Sequence, residues 1–228
     1  MKHAARTSLV ITIDGPAGAG KSTVGRQLAR RLGLDRVDTG ALYRALAWAV
    51  RRAGLPPTDS PALRALLEKT RVEQAGERVL VDGQDVTGEI RSPEMSELTS
   101  RLTALGPVRD KMTPLQRGLA ARGGVVLEGR DTGSVVWPEA EVKFYLDADI
   151  ETRAQRRQAD LLAQGVRADL DEVKAELARR DRQDMERALA PLRRPDGALL
   201  IDASRLTIDA IVDEMVRDVE RVRCCTNS

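Results

Sequence analysis

Residues 11–23 read ITIDGPAGAGKST, an apolar β-branched run followed by G-x-x-x-x-G-K-[ST], with Gly15, Gly20, Lys21 and Ser22 in the fixed positions. An amphipathic stretch from Lys21 to about Leu32 follows at once. This junction confines the fold more than any other feature. Its glycines let successive backbone N–H groups converge on one point, which serves a purpose where a strand ends and a helix begins with its positive dipole end beside the turn. Gly15, Pro16, Ala17, Gly18, Ala19, Gly20, Lys21, Ser22 and Thr23 are therefore expected to cradle the phosphates of ATP. Lys21 would reach the β and γ phosphates, and the Ser22 hydroxyl would ligate Mg²⁺. A glycine-rich turn without function is the bland alternative; the complete pattern between strand and helix argues against it.

The rest of the chain repeats this alternation. Short apolar runs at 8–14, 125–129, 142–148 and 198–202 read as strands, and 21–32, 41–54, 150–164, 169–189 and 206–222 carry apolar residues at helical spacing. Strands separated by helices predict an α/β fold with a parallel sheet. One segment departs from the pattern: 70–90 nearly alternates, with turn signals at Ala75-Gly76 and Asp82-Gly83, as a small antiparallel meander does. The turn signals Leu55-Pro56-Pro57 and Gly106-Pro107 bracket it. The expected organisation is thus a core of 1–56 and 107–228 with an inserted lobe at 57–106.

Composition removes several function classes. At 228 residues, 42% hydrophobic and 32% charged, the chain can bury one substantial core, and its 2% of aromatic residues leaves little for base-stacking platforms. A formal net charge of +2 argues against a duplex-binding surface. The single histidine, His3, stands in a terminus expected to fray, so chemistry that needs a histidine base is not expected. Cys224 and Cys225 are adjacent and lack metal-site spacing. No run reaches the ~18–20 apolar residues of a membrane span, and the N-terminus lacks a signal-like apolar region. A cytoplasmic protein without nucleic-acid or membrane partners, acting as a monomer, is the expectation.

A phosphate cradle identifies a donor and leaves the reaction open, because GTPases, motor ATPases and small-molecule kinases share it. The chain has no evident GTPase base-reading signal and is short for a motor. Further along, Asp38, Thr39, Tyr43 and Arg44 gather where a second strand would give way to a helix, near the carboxyl ends of the sheet. The motifs IDGPAGAGKST, DTGALYR, GRDTGSVV and RRDRQDMERALAPL, in this order, resemble those of the bacterial cytidylate kinases, a branch of the nucleoside monophosphate kinases. The likeness runs from about Val10 to Ile211, and GQDVTGEIRSPEMS (83–96) is similar to the enlarged monophosphate-binding insert of that family.

The resemblance implies a three-layer α/β/α P-loop core with a parallel sheet, a small α+β monophosphate-binding lobe and a short helical lid at about 150–168. It implies Mg²⁺-dependent transfer of the γ-phosphoryl group of ATP to CMP or dCMP. Arg44 and Arg130 would grip the acceptor phosphate, as charge-assisted forks do. Ser100, Arg109 and Asp131 match the base-reading positions, where a carboxylate suits cytosine's amino group and an arginine its acceptors. Uracil would meet like groups there, so UMP should be the poorer substrate. Thr39 joins the CMP site. Arg180, Asp184 and Arg187 match positions at the ribose and transferring phosphate, and Lys21, Arg130, Arg180 and Arg187 form the catalytic set. Arg153 and Arg157 match lid arginines that fold over ATP phosphates, although TRAQRRQ could equally be a solvated face. Many relatives have Asp-Gly-Arg-Asp where this chain has Glu128-Gly129-Arg130-Asp131; Glu128 either holds a Mg²⁺-bound water or pairs with an arginine, and the sequence favours neither. The rival readings are a P-loop kinase for UMP or a non-nucleotide alcohol, and an ATP-dependent regulatory switch.

Overall fold

The computed structural model describes residues 8–163 and 165–226; His3 and its neighbours lie outside them. Strand β1 (Val10–Asp14) is buried along its whole length between β6 (Val125–Glu128) and β7 (Val142–Asp147), with β2 (Asp35–Asp38) and β8 (Leu199–Asp202) at the edges. All pairings in the order β2-β6-β1-β7-β8 are parallel. A parallel sheet covered on both faces needs near-continuous apolar central strands; Val10, Ile11, Ile13 and Val125, Val126, Leu127 supply them, with Thr12 a buried polar member. Each of these strands ends on an acid, Asp14, Asp38, Glu128, Asp147 or Asp202, and the register sets Ile13 and Asp38 against Glu128. The carboxyl edge of the sheet is consequently lined with carboxylates.

Successive side chains of β1 and β6 point to opposite faces. Ile11, Ile13 and Val126 pack with α1 (Lys21–Leu32) and α8 (Ile208–Thr226) through Leu28, Ile211 and Met215, whereas Val10, Val125 and Leu127 pack with α2 (Thr39–Arg52) through Leu42 and Leu46. The result is the expected three-layer arrangement.

Between α2 and β6 the chain forms α3 (Pro61–Lys69), the antiparallel strands β3 (Val72–Ala75), β4 (Arg78–Val81) and β5 (Gln84–Asp85), α4 (Pro93–Thr103) and α5 (Gly106–Ala120). Asp82 and Gly83 form the two-residue β4–β5 turn with φ of 51° and 82°, the left-handed pair that such a hairpin requires. Val72, Val79, Val81 and Met95 share one apolar cluster with Leu42 and Leu46 of α2, so segment 57–106 packs directly on the core helix. Pro107 sits in the first turn of α5, where its missing N–H costs nothing, so Gly106-Pro107 opens a helix instead of a turn.

After β7, α6 (Ile150–Ala163) and α7 (Leu170–Glu186) pair around Ala154, Leu161, Val173 and Leu177, and Ala17 of the phosphate loop is buried in the same cluster. Among the described residues no helix is long and apolar enough to cross a membrane.

Candidate active site

A cavity of about 710 Å³ opens over the carboxyl edge of the sheet. Ligand crevices of α/β sheets occur at this edge. The loop from Gly15 to Gly20 forms one end. Gly15 takes a φ of 149°, and a Cβ there would fall on the Leu146 carbonyl oxygen, so the loop can turn back against β7 only with glycine. Gly20, with φ of 97°, hands the chain to α1. Gly18, Gly20, Lys21, Ser22 and Thr23 line the cavity with Ala17.

Lys21 is 7% exposed, and its Nζ donates to the carbonyls of Gly15 at 2.8 Å and Pro16 at 2.6 Å. Burial, reinforced by the nearby Arg130 cation, holds its pKa well below the ordinary lysine value. Arg180 is pushed down to about 10, first by burial and then by Arg130, and its Nε has no hydrogen-bond partner. Burial and the neighbouring cations Arg91 and Arg130 lower Arg44 as well, Asp38 opposing them, and Arg44 Nε is likewise unpartnered. Crowded, desolvated cations, two of them with an unused Nε donor, define a site for a polyanion.

At the other end, the charges of the DTG segment are held by strand β1. Asp14 is fully buried and accepts from Thr132 N at 2.8 Å, Thr132 Oγ1 at 2.8 Å and Gly133 N at 2.7 Å. Burial nonetheless raises its pKa, against those three bonds. Thr132–Val136 is a π-helical turn, and Arg117 of α5 donates to its last carbonyls, Val136 at 3.1 Å and Val135 at 2.8 Å. A Cβ on Gly129 would lie 2.6 Å from both Thr39 Oγ1 and Thr132 Cγ2, so glycine is needed to pass between them. These contacts aim Arg130 and Asp131 into the cavity.

Asp131 is 6% exposed; its Oδ2 accepts from Arg109 NH1 at 2.9 Å and its Oδ1 from Arg187 NH2 at 3.4 Å. Arg109 Nε donates to the Thr103 carbonyl at 2.8 Å, while its NH2 has no partner. Arg130 Nε donates to Asp184 Oδ2 at 3.1 Å, and Arg187 lies 3.5 Å from Asp184 Oδ1. Asp184 is thus taken by Arg130 and Arg187. Ser100 Oγ donates to Gln183 Oε1 at 3.1 Å, joining α4 to α7 across the cavity. Thr39 Oγ1 donates to the Glu128 carbonyl at 2.7 Å.

Glu128 settles at the strand end against an arginine. Its Oε1 accepts from Arg36 NH1 at 2.6 Å, and its Oε2 is buried without a partner. Burial and the Asp38 carboxylate push it up to about 7, against Arg36, Lys21 and the adjacent Ser22 hydroxyl. Arg36 also meets Glu77 of the β3–β4 turn at 2.9 Å, so one guanidinium ties the lobe to the strand-end acid.

The structure brings Lys21, Ser22, Thr39, Arg44, Ser100, Arg109, Glu128, Arg130, Asp131, Arg157, Arg180, Asp184 and Arg187 to the walls of one cavity. Arg153 departs from the expectation of a phosphate-facing lid arginine. It is 8% exposed, and its guanidinium is spent on Asp181 and on the carbonyls of Ala17 and Ala148. Arg156, unassigned by the sequence, lines the cavity and donates to the Ala19 and Ala203 carbonyls. Asp14, Arg36 and Asp181 also escaped sequence reasoning. Only Asp14 had a usable signal, as the acid ending the strand that feeds the glycine loop.

The family model described as Cytidylate kinase matches residues 11–221. The cytidylate kinase of Symbiobacterium thermophilum is 48% identical over 93% of this chain and 96% of its own length. That of Geobacter sulfurreducens is 48% identical over 97% of this chain and 98% of its own length. Among solved structures, an uncharacterized protein from Eubacterium ventriosum superposes with a TM-score of 0.54 at 12% identity, covering 94% of this chain and 99% of that one. This last likeness speaks for the fold alone.

Proposed function

The chain belongs to the cytidylate kinase family, and from that premise we propose how its residues transfer the γ-phosphoryl group of ATP to CMP or dCMP, giving ADP with CDP or dCDP. The observation that carries the residue assignment is Asp131, a buried carboxylate held between Arg109 and Arg187 in the cavity that the phosphate loop closes.

ATP phosphates lie along the cradle from Gly15 to Thr23, and Lys21 leaves the Gly15 and Pro16 carbonyls to follow the γ-phosphate. Arg157 faces the same phosphates from α6. Arg44 and Arg130 take the acceptor phosphate, with unused Arg44 Nε donating to it. Asp131 accepts from cytosine's amino group, Arg109 NH2 and Ser100 serve the remaining base edge, and Asp184 accepts from the ribose hydroxyls. Arg180 and Arg187 stand at the transferring group, where charge spreads over the equatorial oxygens. Acceptor and donor oxygens held in line need no nucleophilic side chain, so a chain with one histidine loses nothing by its position.

The residues present also suit Mg²⁺. Ser22 and the unpartnered Glu128 Oε2 offer oxygen donors at the cradle, and among the described residues no cluster of three or more His, Cys, Asp or Glu forms an all-protein metal cage. Mg²⁺ prefers this sparse arrangement, retaining waters and phosphate oxygens in its shell. Ser22 would hold the ion directly and Glu128 through a water; the bound ion would neutralise charge on the phosphate oxygens.

Mixing the protein with Mg·ATP and CMP, dCMP, UMP, AMP or shikimate, and following ADP, tests the acceptor. CMP and dCMP are expected to turn over well above UMP. Equal rates with CMP and UMP would remove Asp131 and Arg109 from the role of base readers.

A further inference from the structure

Arg153 and Asp181 lie 28 residues apart and meet beneath the phosphate loop. Asp181 Oδ1 accepts from Ala17 N at 3.1 Å, and Arg153 NH1 donates to Ala17 O at 3.0 Å and to Asp181 Oδ2. Arg153 Nε donates to the Ala148 carbonyl, just beyond β7, at 2.9 Å. Both backbone groups of Ala17 are thus engaged by one ion pair, and its methyl is buried with Leu161 of α6 and Leu177 of α7. A Cβ on Gly18 would lie 3.1 Å from the Arg153 carbonyl oxygen, so the loop tip is in close contact with α6 as well.

This pair sits one residue from Arg180. Asp181 is bonded to the phosphate loop, and α7 is one unbroken helix from Leu170 to Glu186, so the bond to Ala17 bears on the height and rotation of Arg180 over Lys21. The Arg180 Nε itself lacks a hydrogen-bond partner. A bond to a backbone N–H of the loop suits registration better than simple stabilisation, because an ion pair could be buried anywhere, whereas this one joins the donor's cradle to the helix bearing Arg180, Asp184 and Arg187.

We propose that Arg153 and Asp181 are positioning residues for phosphoryl transfer: they register α7 against the phosphate loop so that Arg180 stands at the transferring group. The proposal rests on the reading of Arg180 given above. Misplacing a reacting or stabilising group by about 1 Å can cost on the order of 10²-fold in rate.

A double-mutant cycle on the full chain tests it, with kcat, CMP KM and ATP Kd measured for Asp181→Asn, Arg180→Ala and the combination. Asp181→Asn should lower kcat about 10–100-fold while ATP Kd changes less than about threefold. In the Arg180→Ala background the same substitution should lower kcat by a clearly smaller factor, the remainder being the cost of displacing Arg187 at the end of the same helix. Multiplicative losses, or a kcat unchanged by Asp181→Asn, would overturn the latch. An Arg180→Ala variant with wild-type kcat would instead sink the assignment of Arg180 itself. If Asp181→Asn melts below the assay temperature, Arg153→Lys replaces it; this keeps the charge and loses the fork, and the same non-additivity is required.

Discussion

Asp131→Asn separates base reading from the rest of the site. The carboxylate takes Arg109 at 2.9 Å and Arg187 at 3.4 Å, and in the proposed complex it also accepts from the cytosine amino group. Asparagine preserves the shape but removes the charge, and turns one oxygen into a donor facing a guanidinium. A hydrogen bond to a charged group contributes about 1.5–3 kcal/mol. At 1.36 kcal/mol per decade, kcat/KM for CMP should fall roughly 10–150-fold. The amide can also offer a donor to uracil's carbonyl, so kcat/KM for UMP should fall less, and the CMP-to-UMP ratio should drop by about tenfold or more. Coupled measurement of ADP formation at saturating Mg·ATP gives both constants, and calorimetry gives ATP Kd, which should move less than about threefold. Equal losses for CMP and UMP, or a matching loss of ATP affinity, would refute the reasoning and make Asp131 a structural anion for its two arginines.

Two further substitutions probe the frame. Gly15→Ala places a methyl on the Leu146 carbonyl at a backbone φ of 149°, so strain and overpacking should cost about 2–6 kcal/mol and lower Tm by roughly 5–20 °C in a calorimetric scan; an unchanged Tm would refute the close approach. Arg36→Leu removes the guanidinium that donates to Glu128 Oε1, breaking a buried ion pair, and should cost about 3–5 kcal/mol in denaturant unfolding. Adding Glu128→Gln should recover part of that loss, and equal stability of single and double variants would show that the pair is not coupled.

The elements that the sequence disclosed are those whose pattern is local. β1, β6 and β7 are short apolar runs, and α1 has the spacing of an amphipathic helix behind a glycine loop. β2 reads DRVD, too short and polar to declare itself by pattern, and only its place ahead of the next helix suggests a second strand there; it is a strand because its backbone pairs with β6, 90 residues away at Asp35↔Val125. α5 was hidden because Pro107 resembles a turn signal and Pro114 lies within the helix. The cavity's cations were legible only through the family resemblance that motifs such as GRDTGSVV and RRDRQDMERALAPL carry; by local pattern alone their arginines and acids read as surface ion pairs. Arg153 shows the limit of that reading: Arg153 and Arg157 stand one turn apart on α6, and nothing local tells which of them turns under the phosphate loop. That choice is made by Asp181 of another helix.

The most direct measurement is a crystal structure of the protein with CMP bound. The base should lie with its amino nitrogen within hydrogen-bond distance of an Asp131 carboxylate oxygen, and the phosphate between Arg44 and Arg130. A cytosine seated away from Asp131 and Arg109, or a phosphate not contacted by Arg44 and Arg130, would contradict the account.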